Sequence, residues 1–211
     1  MKFSLSPKAI ITIIYLVGII GICSPWQYYF LLLTPVNLLI TFGFVLKSFS
    51  GFNKSFAISI LILVIATWLI EVIGVQTGLV FGHYTYGKIL GPKIFDTPPI
   101  IGINWAILLL SIGIWLKSFN IKNNLLFSLL GAITMTLLDL IIEPIAILLD
   151  FWHWQSKTPP LQNYVAWFII SFIIFFLFPK KYFNQKDNIA IWCLGLQFMF
   201  FALLNIVFHF F

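Results

Sequence analysis

Seven apolar segments run through this chain of 211 residues, and their length limits what it can fold into. A helix needs about 20 apolar residues, within a range of roughly 17 to 25, to cross the hydrocarbon core of a bilayer. The segments are predicted at residues 7–22, 28–46, 56–75, 100–116, 125–149, 165–178 and 189–210. Only 9% of the residues are charged, against about 25% in typical soluble domains. We therefore predict an all-α fold, a polytopic membrane helix bundle that forms one integral membrane domain over residues 1–211.

The cationic residues predict how the chain is oriented in the membrane. All 12 are lysines. Nine fall at the amino terminus or in the loops after the second, fourth and sixth segments (Lys2, Lys8, Lys47, Lys54, Lys117, Lys122, Lys180, Lys181 and Lys186), and three fall on the other side (Lys88, Lys93 and Lys157). The positive-inside rule then places the amino terminus in the cytoplasm, and a bacterial inner membrane is the expected location. The net charge of +6 comes from lysines that lie singly or in pairs between apolar segments. This distribution indicates membrane topology and not a phosphate-binding patch, so no nucleic-acid partner is predicted.

The first segment follows Lys2 and Lys8, as the apolar part of a signal peptide would. Gly21-Ile22-Cys23-Ser24 is a poor cleavage site, so this segment is expected to remain as an anchor.

Three of the six acidic residues, Asp139, Glu143 and Asp150, lie inside or at the end of the fifth apolar segment. On a continuous helix, spacings of four and seven residues place them within roughly 40° of one another, on one face. Pro144 is expected to bend the helix beside them because it removes a backbone hydrogen bond. Carboxylates are costly in hydrocarbon, so three on one face indicate a functional site.

The predicted topology brings most of the remaining polar residues to the same half of the membrane. Glu71 falls late in the third segment, and the connections after the third and fifth segments lie on one side. The residues expected to converge there are Glu71, His83, Tyr84, Asp139, Glu143, Asp150 and Asn163. Closely spaced acids cannot all ionise in a low dielectric, so one is expected to keep its proton while another is charged. Such a pair suits general acid–base catalysis or proton-coupled transport.

Gly82-His83-Tyr84-Thr85-Tyr86-Gly87-Lys88 matches most of a phosphate-binding P-loop, but Ile89 stands where Ser or Thr must reach magnesium. We predict a tight surface or re-entrant loop at this position instead.

The histidines show no short metal-ligand spacing. No metal is therefore predicted, although a site built from His83 or His153 with the acids stays open. A retinal Schiff base would need a lysine in mid-membrane, and every lysine lies near a segment end.

An ordered string of short motifs extends from Glu71 to Trp167, about half of the chain. It comprises Glu71-Val-Ile-Gly-Val-Gln-Thr-Gly78, Phe81-Gly-His-Tyr-Thr-Tyr86, Leu90-Gly-Pro-Lys93, Pro99-Ile-Ile-Gly-Ile-Asn104-Trp105, Asp139-x-x-x-Glu143-Pro144-x-Ala146, Asp150-Phe-Trp152-x-Trp154 and Pro160-Leu-Gln-Asn163-Tyr164. In this order the motifs resemble those of the CruF-type carotenoid hydratases, the group that includes carotenoid 1′,2′-hydratase and bisanhydrobacterioruberin hydratase.

The resemblance implies addition of water to the terminal C1′–C2′ double bond of an acyclic carotenoid, giving a tertiary alcohol without a cofactor. The implied partners are a lycopene- or γ-carotene-like substrate, membrane lipid and other carotenoid enzymes. Asp139 and Glu143 are the expected proton-handling pair, and Asp150 and Glu71 are the next candidates. The residues expected to position substrate or water are His83, Tyr84, Asn104, Trp105, Trp152, Trp154 and Asn163.

Two other functions remain open from the sequence. A carotenoid end-group cyclase makes the same first protonation but closes a ring, and a water placed near the acids would distinguish a hydratase from it. A proton-coupled transporter or carotenoid-binding protein is the other alternative. Transporters usually carry polar groups in both halves of the membrane and often an inverted repeat. Neither feature is visible in this sequence.

Overall fold

The computed structural model describes residues 6–50, 52–185 and 187–210. The helices are α1 (Pro7–Ile22), α2 (Gln27–Leu31), α3 (Thr34–Lys47), α4 (Lys54–Thr77), α5 (Ile100–Ser118), α6 (Asn124–Leu148), α7 (Leu161–Leu177) and α8 (Ile189–Phe210). Two short strands, β1 (Tyr84–Tyr86) and β2 (Trp152–Trp154), form an antiparallel ribbon, and a 3₁₀ helix covers Lys180–Phe183. The predicted helix bundle is therefore confirmed, with a small sheet added to it.

Five helical stretches in the described part of the chain are long and apolar enough to cross a membrane. They are Gln27–Lys47, Lys54–Thr77, Ile100–Ser118, Asn124–Leu148 and Ile189–His209. Helices α1 and α7 are also apolar but shorter, at 16 and 17 residues. A total of seven crossings and a cytoplasmic amino terminus thus stay predictions. Lys2 and Lys186, which contribute to the lysine asymmetry, lie outside the described residues.

The second apolar segment contains a break at Leu32 and Leu33, between α2 and α3. Pro35 occupies the first turn of α3. Proline is tolerated there because the first N–H groups of a helix have no intrahelical acceptor, so the missing N–H of proline costs no hydrogen bond.

Helix α5 lies at the centre of the bundle. It packs against α3, α4, α6 and α8, and its stretch Ala106–Leu110 is fully buried. Gly102 allows the close approach of α4, since a Cβ at this position would overlap the main-chain oxygen of Val64.

The β-ribbon links the connection after α4 to the connection after α6. Tyr84 pairs with Trp154, and Tyr86 pairs with Trp152. Because successive side chains of a strand point to opposite faces, these four aromatic side chains share one face of the ribbon. Their partners on the other face, Thr85 and His153, are exposed. The predicted surface or re-entrant loop at residues 82–88 is therefore wrong over β1, because pairing with β2 extends the backbone there.

The α4–α5 contact gives a stability prediction. Gly102→Ala should lower the free energy of unfolding by about 1–3 kcal/mol, because a main-chain oxygen cannot move aside for the new methyl group. Gly43→Ala is the matched control: a Cβ on this exposed helical glycine meets nothing within 4 Å. Unfolding of both variants in mixed detergent micelles measures the difference. Equal stability of the two would contradict close packing at Gly102.

Candidate active site

Glu71 is a buried carboxylate on α4 that receives hydrogen bonds from three aromatic side chains. The hydroxyls of Tyr84 and Tyr86 donate to its Oε2 over 2.5 Å and 2.8 Å. The indole Nε1 of Trp105, on α5, donates to its Oε1 over 2.9 Å. Both carboxylate oxygens thus have partners, as a group that is only 4% exposed requires.

Asp139 and Glu143 lie one turn apart on α6, and both are buried. The Asn163 side-chain amide, on α7, donates to Oδ2 of Asp139 over 2.7 Å and to Oε1 of Glu143 over 3.2 Å. The indoles of Trp152 and Trp154 both donate to Oε2 of Glu143, over 3.0 Å and 2.9 Å. One amide therefore connects the two acids, and Glu143 accepts three N–H groups.

The two oxygens of Asp139 differ in their surroundings. Oδ2 is bonded to Asn163, whereas Oδ1 is buried and has no hydrogen-bond partner among the described residues. Asp139 borders a cavity of about 20 Å³ that Glu71, Glu143 and Asn163 also line. A volume of roughly 10–15 Å³ is enough for one water molecule. We call this space the water-sized cavity. It has room for one water molecule between the three carboxyl groups.

The rest of the wall of the water-sized cavity is aromatic or apolar. It consists of Phe81, Tyr84, Tyr86, Ile101, Trp152, Trp154 and Trp167. Trp167 stacks on Trp105 with 4.1 Å between ring centroids, and Tyr84 lies 4.9 Å from Trp154. Such walls exclude bulk water and present π faces, which attract positive charge.

Burial raises the pKa of the Tyr84 and Tyr86 phenols well above 10, and the neighbouring Glu71 carboxylate raises it further. Both hydroxyls therefore stay protonated at neutral pH and remain donors to Glu71. The main-chain oxygen of Tyr86 accepts a hydrogen bond from the Lys93 ammonium, which ties the connection after α4 to the ribbon.

A larger cavity of about 270 Å³ lies beside the first. It is mostly apolar and is enclosed by α1, α3, α5, α6 and α8. Ile101 and Trp152 line both cavities. Ile13, Val17 and Leu33 also line the larger one and are about half exposed on the outside of the bundle. This apolar cavity thus opens sideways between helices, where the membrane interior would be.

Most of the residues predicted for the site come together. They are Glu71, Tyr84, Trp105, Asp139, Glu143, Trp152, Trp154 and Asn163. Asp150, His83 and Asn104 lie elsewhere.

The prediction that Asp150 shares a helical face with Asp139 and Glu143 is wrong. Helix α6 ends at Leu148, and Asp150 has a left-handed backbone with φ of 60°. Beyond the helix end the 100° rotation per residue no longer applies. The Asp150 side chain is 47% exposed and bonds Nε2 of His153 over 2.6 Å.

Neither His83 nor Asn104 lines the water-sized cavity. The His83 side chain is exposed and packs against Gly78, where α4 ends. Asn104 lines the apolar cavity instead. It directly precedes Trp105, so it points about 100° away from the residue that contacts Glu71.

Sequence reasoning missed Tyr86, Phe81, Ile101 and Trp167. A strand assignment for Tyr84-Thr85-Tyr86 would have placed Tyr86 on the same side as Tyr84. Trp167 follows Asn163 by four residues, so helical spacing would have placed both on one face of α7. Phe81 and Ile101 carry no comparable signal.

Comparison with known proteins identifies the family. Residues 28–211 match the family described as "Carotenoid biosynthesis protein". The chain belongs to this family. Bisanhydrobacterioruberin hydratase of Haloarcula japonica is 28% identical over 138 residues, which cover 60% of this chain and 45% of the relative. The chain thus spans less than half the length of that curated relative. No solved structure matches this carotenoid biosynthesis protein.

The hydrogen bonds to Glu71 give a second stability prediction. In this carotenoid biosynthesis protein, Tyr86→Phe should lower the free energy of unfolding by about 1–3 kcal/mol, because a buried carboxylate loses one donor. Tyr28→Phe, at a side chain that is 57% exposed, is the matched control and should have little effect. Chemical unfolding in micelles measures both. A Tyr86→Phe variant as stable as the control would show that the bond contributes nothing.

Proposed function

We propose that this protein adds water to the terminal C1′–C2′ double bond of an acyclic carotenoid end group. The observation that carries the proposal is the pair of adjoining cavities. One has the size of a water molecule and is lined by three carboxyl groups, and the other is apolar and opens sideways. The hydratase name of the Haloarcula japonica relative supports the same reaction class.

The reaction requires a proton donor, a cation stabiliser and a base. A protonated carboxyl transfers its proton to C-2′, and the π electrons of the double bond form the new C–H bond. A tertiary carbocation is left at C-1′. The oxygen of a water molecule bonds to C-1′, and a carboxylate takes one of its protons. The sum is one added water, so neither oxidant nor cofactor is needed.

Hydrogen bonding distinguishes the roles of the two acids on α6. Glu143 accepts three N–H groups, which favour its charged form. Asp139 accepts one, and its Oδ1 has no partner among the described residues. In this proposal Asp139 donates the proton and Glu143 receives the proton of water. Proton exchange within the Asn163-bridged pair then restores the starting state.

Glu71 and the aromatic wall act on the carbocation. The Glu71 carboxylate lines the same cavity as the acid pair and is fixed by three donors, so its charge is preorganised. The indole of Trp152 borders both cavities and offers its face to a cation at the end of the substrate.

The uneven distribution of the lysines indicates on which side of the membrane the proposed reaction takes place. With the amino terminus in the cytoplasm of a bacterial cell, the β-ribbon and the acids lie in the outer half of the inner membrane. A rod-shaped hydrocarbon then enters sideways through the opening of the apolar cavity beside Ile13 and Val17.

Expression in cells that accumulate lycopene or γ-carotene tests the proposal. A product heavier by one water molecule is expected by chromatography with mass detection. Asp139→Asn and Glu143→Gln should each lower its yield by about 100-fold or more, because each removes a proton-transfer group. Asp187→Asn is the matched control, since this residue lies outside the cavities and asparagine keeps a side-chain oxygen that can accept from the main-chain N–H of Ile189.

Three outcomes would contradict the proposal. A product of unchanged mass and shifted absorption would indicate a cyclase. Full activity of both acid variants would remove the acid pair from the mechanism. No product from either carotenoid, with the protein present in the membrane, would favour binding or transport.

A further inference from the structure

Two side chains, those of Ile101 and Trp152, separate the water-sized cavity from the apolar cavity. Among the described residues they are the only ones that line both. The buried acids line the water-sized cavity, whereas the sideways opening belongs to the apolar one. In the proposed reaction the double bond has to reach Asp139 from the apolar cavity, so it must pass this pair.

The water-sized cavity is too small to take the end of the substrate without a change. At about 20 Å³ it has room for one water molecule. A branched hydrocarbon end that joins this water needs more space, and a neighbouring side chain must provide it by moving. Because helices pack closely and have little free volume between them, the side chains that separate the two cavities are the ones to consider.

Ile101 is held in place by its helix. It is 4% exposed and lies in the first turn of α5. The next residue, Gly102, lies so close to the main chain of Val64 that α5 has no room to move toward α4. A β-branched side chain in a helix also has one strongly preferred rotamer. Ile101 is therefore expected to stay where it is when a ligand arrives.

Trp152 is held much less firmly. Its side chain is partly exposed, and within the described part of the chain its one hydrogen bond joins Nε1 to Oε2 of Glu143. Its ring centroid lies 6.2 Å from that of Tyr86 and 6.3 Å from that of Phe151. A strand allows two common χ1 rotamers, so the indole can turn while the pairing of β2 with β1 is kept. Trp154, by contrast, is 7% exposed and does not line the apolar cavity.

A turn of Trp152 changes the hydrogen bonds of Glu143. Oε2 of this acid accepts from the indoles of Trp152 and Trp154, which occupy both of its lone pairs. When Trp152 turns away, one acceptor position of Oε2 becomes free next to the arriving ligand. The base of the proposed reaction needs such a position to receive a proton from water.

We propose that the Trp152 side chain is a gate between the two cavities, which the branched end of the substrate pushes aside, and that its movement frees Oε2 of Glu143 for the proton of water. With respect to this proton transfer Trp152 is a positioning residue, because it acts through Glu143. The use of the freed oxygen rests on the proposed function, whereas the movement itself rests on the two cavities and on the single bond that holds the indole.

Nuclear magnetic resonance of the purified full chain in lipid nanodiscs tests the gate without turnover. The tryptophans carry nitrogen-15, and the indole signals of Trp152 and Trp154 are those that Trp152→Phe and Trp154→Phe lack. The probe is farnesane, a saturated branched hydrocarbon that has no double bond to hydrate. Farnesane should shift the Trp152 N–H signal upfield, as a lost hydrogen bond does, and leave the Trp154 signal in place.

The affinity for farnesane, measured by native mass spectrometry in detergent, is the second readout. In the unaltered protein the gate opens at the cost of the bond to Glu143, and Trp152→Phe has no such bond to break. This variant should bind farnesane about fivefold more tightly, as expected for one net hydrogen bond. Trp154→Phe is the matched comparison. It removes a donor to the same oxygen but lies outside the apolar cavity, so its affinity for farnesane should stay the same.

A Trp152 signal that does not move when farnesane is bound would overturn the gate. Equal affinities of Trp152→Phe and the unaltered protein would also overturn it, and so would a complete absence of farnesane binding. A gate that moves in a protein without hydratase activity would leave this inference in place and remove only the proposed reaction. Hydration of a carotenoid by a protein whose Trp152 stays bonded to Glu143 would do the opposite.

Discussion

The structure depends on the burial of three carboxyl groups inside apolar helices. Glu71, Asp139 and Glu143 are each less than 5% exposed. A buried carboxylate is stable only with strong hydrogen-bond donors around it. Here the donors are N–H and O–H groups of aromatic side chains and one amide, and among the described residues no ammonium group pairs with these three acids. The three acids are therefore held by neutral donors, and not by a cationic partner among the described residues.

This requirement explains the β-ribbon. Two phenols for Glu71 and two indoles for Glu143 must reach the acids from outside the helices. Two strands of three residues achieve this. Successive side chains of a strand point to opposite faces, so the first and third residues of both strands lie on the same face of the ribbon. Gly74 on α4 contributes as well, since a Cβ there would overlap the Phe81 ring. The network thus joins α4, α5, α6, α7 and the ribbon, and in the proposed reaction it would hold the acids in place before a substrate arrives.

The sequence allowed the helices to be predicted well because long apolar runs have few alternatives in a bilayer. Helical spacing also paired Asp139 with Glu143 correctly. It failed at Asp150, where the helix ends and the backbone turns left-handed. The ribbon was missed because three-residue strands have no detectable period, and their pairing joins residues about 70 positions apart. The sequence also did not indicate that Asn104 lines the apolar cavity and not the water-sized one, because the motif string orders residues along the chain but does not say which cavity each one faces.

The most direct test follows the atoms of water in a purified system. The protein is reconstituted in lipid nanodiscs with an acyclic carotenoid and water labelled with oxygen-18, and a parallel sample uses deuterium oxide. Addition across the double bond predicts one oxygen-18 in the product alcohol and, in the second sample, one non-exchanging deuterium on the neighbouring carbon. A product without the oxygen label would contradict hydration. An oxygen label without carbon-bound deuterium would contradict protonation of the alkene by the buried acids.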